Sequence, residues 1–191
     1  MKIAIIDNYD SFVFNLVRYI KENDAVQKTV VMRNDEIDYD ILAKADGILL
    51  SPGPGIPSEA GDLLKVLDQF GESKSILGVC LGHQAIAEYY GGANEIAPEI
   101  IHGKSSEIEI DTSNFLFESL DKKLTVGRYH SWQVNEVLPE SIDCIANFGQ
   151  QVMGLAHKTR KNYGIQFHPE SVLTPEGRTI INNWITSCKQ H

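Results

Sequence analysis

Short apolar runs rich in β-branched residues, at Lys2 to Ile6, Lys28 to Met32, Gly47 to Leu50 and Ser75 to Val79, recur through the first part of the chain with helical patterns or loops between them. Runs this short and this continuously apolar read as strands covered on both faces, and strands separated by helices pair in parallel. Between the first two runs, Asp10-Ser11 offers an N-cap, and Phe12, Val13, Leu16, Val17 and Ile20 fall on one helical face. A second helix is expected over Ser58 to Phe70, with Leu63, Leu64, Val66 and Leu67 towards the sheet. A third follows Cys80 through Gln84, Ala85, Ile86 and Tyr89, and Gly91-Gly92 ends it.

Further along, the pattern changes to alternation, as in Ser106 to Ile110, Ile142 to Phe148, Val152 to His157 and Tyr163 to Phe167, which reads as mixed or antiparallel strands. A last amphipathic helix is expected over Thr179 to Cys188, with Ile180, Ile181, Trp184 and Ile185 on its buried side. No repeat, linker or low-complexity tract interrupts this. The expectation is one α/β domain over residues 1–191, with a mostly parallel sheet flanked by helices on both faces and antiparallel strands in its second half. At 191 residues, 42% hydrophobic and 23% charged, the chain is long enough to bury a proper core.

A formal net charge of -9 argues against a nucleic-acid partner. Cys80, Cys144 and Cys188 are an odd number without C-x-x-C spacing, which suggests neither a disulfide framework nor a thiolate metal site. A reducing cytoplasm fits that usage, and no apolar stretch has the length of a signal peptide or a membrane span. Cys144 and Cys188 lie within apolar alternating or helical stretches and read as packing residues.

Cys80 differs. It stands in Gly78-Val79-Cys80-Leu81-Gly82, where a buried strand runs into a helix. Such an elbow lifts a nucleophile on a strained turn, and its flanking glycines avoid collisions. A helix N-terminus at the same corner favours thiolate over thiol. A thiolate attacking a carbonyl needs a proton carrier for the leaving group. His168 in Phe167-His168-Pro169-Glu170 is the best placed of six histidines, and Glu170 can orient and charge-stabilise its ring. His83, His102, His130 and His157 show no metal-ligand spacing, so no metal is expected. The loop Ser51-Pro52-Gly53-Pro54-Gly55 follows a strand and suits backbone N–H donation to an oxyanion. Pro54 has no N–H, so Gly53 or Gly55 must donate, with Leu81 N–H as second donor.

These blocks, Pro52-Gly53-Pro54-Gly55, Gly78-Val79-Cys80-Leu81-Gly82-His83-Gln84 and His168-Pro169-Glu170, resemble in order the class I, or triad-type, glutamine amidotransferases, and the resemblance runs essentially from residue 1 to 188. The opening Asp7-Asn8-Tyr9-Asp10-Ser11-Phe12 with Asn15-Leu16 is similar to the branch serving chorismate, which comprises anthranilate synthase component II and the aminodeoxychorismate synthase glutaminase. The resemblance implies a flavodoxin-like fold, a Cys80 glutamyl thioester, and ammonia delivered to a chorismate-binding synthase partner. It implies no cofactor in this chain, magnesium belonging to the partner. It also implies that Gln84, Ser131 and Trp132 help hold L-glutamine, with Gly53, Pro54 and Gly55 lining the same pocket. Family members more often carry Leu where Trp132 stands, which leaves a backbone contact as the role that survives. Pro52 to Ser58 and His102 to Ser105 are candidate docking loops. The rivals are a stand-alone cysteine hydrolase, a catalytically silent module, and a glutaminase serving guanine nucleotide or carbamoyl phosphate synthesis.

Overall fold

A computed structural model describes residues 1–189. In chain order the elements are β1 (Lys2–Asp7), α1 (Val13–Lys21), β2 (Lys28–Arg33), α2 (Tyr39–Ala43), β3 (Gly47–Leu50), α3 (Leu63–Phe70), β4 (Ser75–Val79), α4 (Leu81–Tyr89), β5 (Asn94–Ile96) and β6 (Lys104–Ile110). There follow β7 (Lys123–Arg128), β8 (Trp132–Val134), β9 (Ile142–Phe148), β10 (Gln151–His157), β11 (Asn162–Ile165) and α5 (Gly177–Ser187). Short 3-10 turns lie at Pro57–Glu59 and Phe115–Phe117.

Nine strands form one sheet in the order β2-β1-β3-β4-β11-β10-β9-β6-β7, and β5 pairs with β8 in a small second sheet. Strands β2, β1, β3, β4 and β11 run parallel, so their carboxyl ends share one edge. From β10 outward the pairing is antiparallel, as the alternating second half of the sequence predicts. In β1, Ile3 and Ile5 face α1 and α5, whereas Ala4 and Ile6 face α2, α3 and α4; the two-residue period sorts one strand into two cores. Among the described residues no helix is long and apolar enough to cross a membrane.

Several boundaries differ from expectation. Helix α1 begins at Val13 rather than at an Asp10-Ser11 cap, and Phe12 is 58% exposed instead of packed on the sheet. Asp10 Oδ2 accepts the Phe12 N–H at 2.9 Å, a local turn that competes with helix entry. The helix expected over Ser58 to Phe70 is broken by Gly61 at φ +56, where a Cβ would stand 2.6 Å from Asn34 O, and its long run begins only at Leu63. Leu64 is half-buried. Strand β11 stops at Ile165, although Gln166 and Phe167 remain fully buried beyond it. Cys188 is buried, but Cys144 is exposed. A bulge in the β9–β10 register at Val152 to Leu155 breaks the strict alternation that would have turned Cys144 inward. Strands β5, β7 and β8 and helix α2 add elements that the sequence reading omits.

Candidate active site

The carboxyl ends of β1, β3, β4 and β11 each contribute a segment to one cavity of about 520 Å³. Its walls include Asp10 and Phe12, Gly53 and Pro54, Cys80, and His168 and Glu170. Ligands in open parallel sheets bind at this edge, because loops there are free to diverge from the sheet.

Cys80 occupies the N-cap position of α4 with φ 52 and ψ -98, a left-handed backbone that side-chain-bearing residues rarely adopt. Such a conformation costs on the order of 1–3 kcal/mol and persists only where its surroundings hold it. The surroundings here are specific. Cys80 N–H donates to Ile165 O at 2.8 Å, which ties the elbow to β11. A Cβ on Gly78 would collide with the Gly82 carbonyl, and one on Gly82 would stand 2.5 Å from Leu50 O and 2.7 Å from Leu50 Cβ. Both glycines are therefore required for α4 to lie against β3 and β4. His83, next in the helix, is fully buried against Gly164, and burial pushes its pKa down to about 3.

His168 and Glu170 are 7% and 5% exposed, and His168 Nδ1 lies 2.6 Å from Glu170 Oε1. Burial opposes charging His168, but the Cys80 sulfur in its thiolate form and then the Glu170 carboxylate outweigh it and raise the imidazole pKa well above its ordinary value. The turn is fastened at both ends. His168 N–H donates to Gly127 O at 3.0 Å, Thr174 Oγ1 donates to His168 O at 2.7 Å, and a Cβ on Gly177 would collide with Pro169 O. Tyr129 packs edge-on against the His168 ring with centroids 5.0 Å apart. Asp10, across the cavity, has its pKa raised by burial first and also by Glu170.

The β3 loop is placed by a buried polar knot. Asn8 N–H and Asn8 Nδ2 donate to Ser51 Oγ and Ser51 O at 2.9 and 2.7 Å, and Asn34 Nδ2 donates to Asn8 Oδ1 at 3.1 Å. Gly53 sits directly on this knot. A Cβ there would strike Asn8 O, and would reach Leu81 Cδ2 at 3.0 Å. Gly53 thus borders both Leu81 and the cavity, whereas Gly55, at φ +79, faces open space outside the cavity lining. Leu81 is the first residue of α4, where helix geometry leaves the N–H without an intrahelical acceptor.

Of the residues expected to hold substrate, Gly53 and Pro54 line the cavity, while Gly55, Gln84, Ser131 and Trp132 do not. Gln84 is 2% exposed because its Nε2 turns inward, donating to Trp132 O at 2.9 Å and to Gln166 Oε1 at 3.2 Å. Trp132 enters through its backbone carbonyl, and the Ser131 side chain is exposed. Of the expected docking loops, Pro52 to Pro54 and His102 reach the cavity rim. Tyr129 and Gln166 were given no role from sequence, and Asn8 and Ser51 were read only as members of the opening block and of the glycine-proline loop, yet all four place or border the site. For Gln166 the signal was its polarity between apolar Ile165 and Phe167. Among the described residues no group of three or more His, Cys, Asp or Glu side chains is arranged to hold a metal ion.

Comparison with known proteins agrees over the whole chain. A family model described as glutamine amidotransferase class-I matches residues 4–188. The anthranilate synthase component 2 of Lactococcus lactis is 39% identical over 193 residues, covering 99% of this chain and 96% of that protein. The aminodeoxychorismate/anthranilate synthase component 2 of Bacillus subtilis is 40% identical over 192 residues, covering 98% and 97%. A crystal structure of a putative GMP synthase component from Thermoplasma acidophilum superposes with a TM-score of 0.87 at 31% identity, covering 98% of this chain and 94% of that one.

Proposed function

Because the chain belongs to the class-I glutamine amidotransferases, we propose that it is the glutaminase component of an anthranilate synthase and that Cys80, His168 and Glu170 carry its chemistry. The observation behind the residue assignment is the alignment of the Cys80 elbow, the charged-form-favouring His168–Glu170 pair and Gly53 around one cavity.

In this reading the Cys80 thiolate attacks the side-chain amide carbon of L-glutamine. The amide oxygen becomes an oxyanion held by the N–H groups of Gly53 and Leu81. Protonated His168 gives its proton to the amide nitrogen as the C–N bond breaks, so ammonia leaves and a glutamyl thioester remains. Neutral His168 then takes a proton from water, whose oxygen attacks the thioester. The second tetrahedral intermediate expels the Cys80 thiolate and releases glutamate. Glu170 keeps the His168 ring in the orientation both half-reactions need. Gln84 and the Trp132 carbonyl serve the pocket from behind its wall, and Gly55 supports the loop that presents Gly53 and Pro54.

Ammonia is a nucleophile only unprotonated, so its escape into water wastes the product. We place the acceptor reaction in a separate chorismate-binding synthase that covers the cavity. Tyr9, Phe12 and Val172 border the opening and are 52%, 58% and 94% exposed, an apolar rim suited to burial against such a partner. The three free cysteines fit a cytoplasmic setting. The Bacillus subtilis relative's double name supports a second reading in which the same chain also serves an aminodeoxychorismate synthase. The test is glutamate release from glutamine by wild type and Cys80→Ser, with and without a chorismate-binding synthase. Partner-stimulated release that Cys80→Ser abolishes supports the reading, and the aromatic product identifies the acceptor. Demonstrated complex formation without glutamate release refutes it.

A further inference from the structure

Behind Cys80 runs a line of buried side-chain hydrogen bonds whose end at the sulfur, Gln166, the reaction above leaves without a task. Gln166, with no solvent exposure, points Nε2 at Cys80 Sγ across 3.5 Å. Its Oε1 accepts from Gln84 Nε2 at 3.2 Å, and Gln84 Nε2 also donates to Trp132 O at 2.9 Å. The same carbonyl lies 2.9 Å from His130 Nδ1, while His130 Nε2 accepts from the buried Arg128 Nε at 3.3 Å.

The sense of every bond in this line is forced. A guanidinium only donates, so His130 Nε2 must be the acceptor and Nδ1 carries the hydrogen towards Trp132 O. A backbone carbonyl only accepts, so Gln84 must present its NH2 end to it. That NH2 group then meets the carbonyl end of Gln166, and the end of Gln166 left facing the sulfur is its own NH2. An amide that could otherwise turn over is locked with its donor on the nucleophile.

We propose that Gln166 is a further catalytic group of this site, its amide N–H donating to the Cys80 sulfur so as to favour thiolate over thiol, with Gln84 and the Trp132 carbonyl as positioning groups that fix its orientation. Donation to the charged form lowers the free energy of that form alone. The proposal rests on the reading of Cys80 as nucleophile. It also gives Gln84 a role that needs no contact with substrate, in keeping with its position outside the cavity lining. The ionisable groups of the cavity and of the line behind it are His168 and Glu170 beyond β11, Tyr9 and Asp10 from the β1–α1 loop, His102 and Tyr129 on the cavity wall, Arg128 and His130 at the far end of the line, and His83 behind on α4; all are common to the variants below.

The test is the pH dependence of Cys80 alkylation by iodoacetamide, read by mass spectrometry on the Cys80 peptide of wild type, Gln166→Met and Gln166→Glu. Loss of a hydrogen bond to a charged group is expected to move the alkylation midpoint of Gln166→Met up by about one pH unit, roughly tenfold less thiolate near neutrality. Gln166→Glu moves it further, because it sets an anion against an anion. A cooperatively folded Gln166→Met with an unmoved midpoint overturns the proposal; a merely structural role lowers thermal stability and leaves the midpoint in place. Should Gln166→Met fail to fold, Gln84→Met decides, since it frees the Gln166 amide to turn: an upward shift supports the proposal and an unmoved midpoint overturns it. Alkylation needs neither glutamine nor partner. Wild-type glutamate release, measured in parallel, therefore shows separately whether the glutaminase reading itself fails.

Discussion

Replacing His83 by Met should remove a defined part of the protein's sensitivity to mild acid. His83 is completely buried, and its pKa is pushed from 6.5 down to about 3. The unfolded chain then binds a proton that the folded chain refuses everywhere between those values, so stability falls as pH falls through that window. The slope is about 1.4 kcal/mol per pH unit, which amounts to roughly 2 kcal/mol lost at pH 5 relative to neutral pH. His130, lowered to about 4 by burial and then by Arg128, acts in the same direction. His168 is raised instead. Its contribution is fully present below 6.5 and is lost only as pH rises through its folded value, so it is flat in this window. The assay is urea unfolding of wild type and His83→Met at several values between pH 5 and pH 8, the ordinary range of stable folding. Met fills the space without a titrating atom. Its absolute stability is immaterial, because the difference between the two pH slopes isolates one histidine. The account predicts that the variant recovers about 2 kcal/mol of the loss between neutral pH and about pH 5. Parallel curves would show that His83 is not held neutral by burial, and would refute the reasoning.

Gly82→Ala brings in a better helix former at the cost of a Cβ at 2.5 Å from Leu50 O. The overpacking of about 1–3 kcal/mol should exceed the gain of about 1 kcal/mol in helix propensity, giving a destabilised protein in denaturant unfolding and slowed Cys80 alkylation. Gly55→Ala, with nothing within 4 Å but φ +79, should cost only about 1–2 kcal/mol and retain glutamate release, whereas Gly53→Ala should abolish it through its clash with Asn8. Glu170→Gln removes the carboxylate that helps hold His168 protonated. The kcat for glutamine should fall by about 10²-fold or more, with the thiolate–imidazolium range in the pH–rate profile shortened on its alkaline side.

The parallel half of the fold was legible because its strands are buried on both faces. The bounds of β3 and β4 coincide with the apolar runs Gly47 to Leu50 and Ser75 to Val79. Alternation in β6 exposed the antiparallel half as well, whereas β9 departs from it at its bulge. What escaped were the five-residue α2 and the three-residue β5 and β8, too short to show a period, and also the six-residue β7, which length does not explain. The Asp10 turn displaced the start of α1, because a side-chain carboxylate competing for the Phe12 N–H has no signature distinct from an N-cap. The same contrast holds at the site. Cys80, His168 and Glu170 stand in short local patterns whose geometry follows from neighbours in sequence. The knot of Asn8, Ser51 and Asn34, and the pairing of Gln84 with Gln166 across 82 positions, exist only once β2, β1, β3, β4 and β11 lie side by side. No local pattern announces a hydrogen bond made by distant strand ends.

The central claim is that Cys80 forms a glutamyl thioester, and acid-quenched mass spectrometry during glutamine turnover in the presence of the synthase partner tests it most directly. The account predicts glutamine-dependent acylation on the Cys80 peptide, absent from the Cys144 and Cys188 peptides and lost in Cys80→Ser together with glutamate release. Turnover that persists in Cys80→Ser, or an adduct carried by another residue, would contradict it.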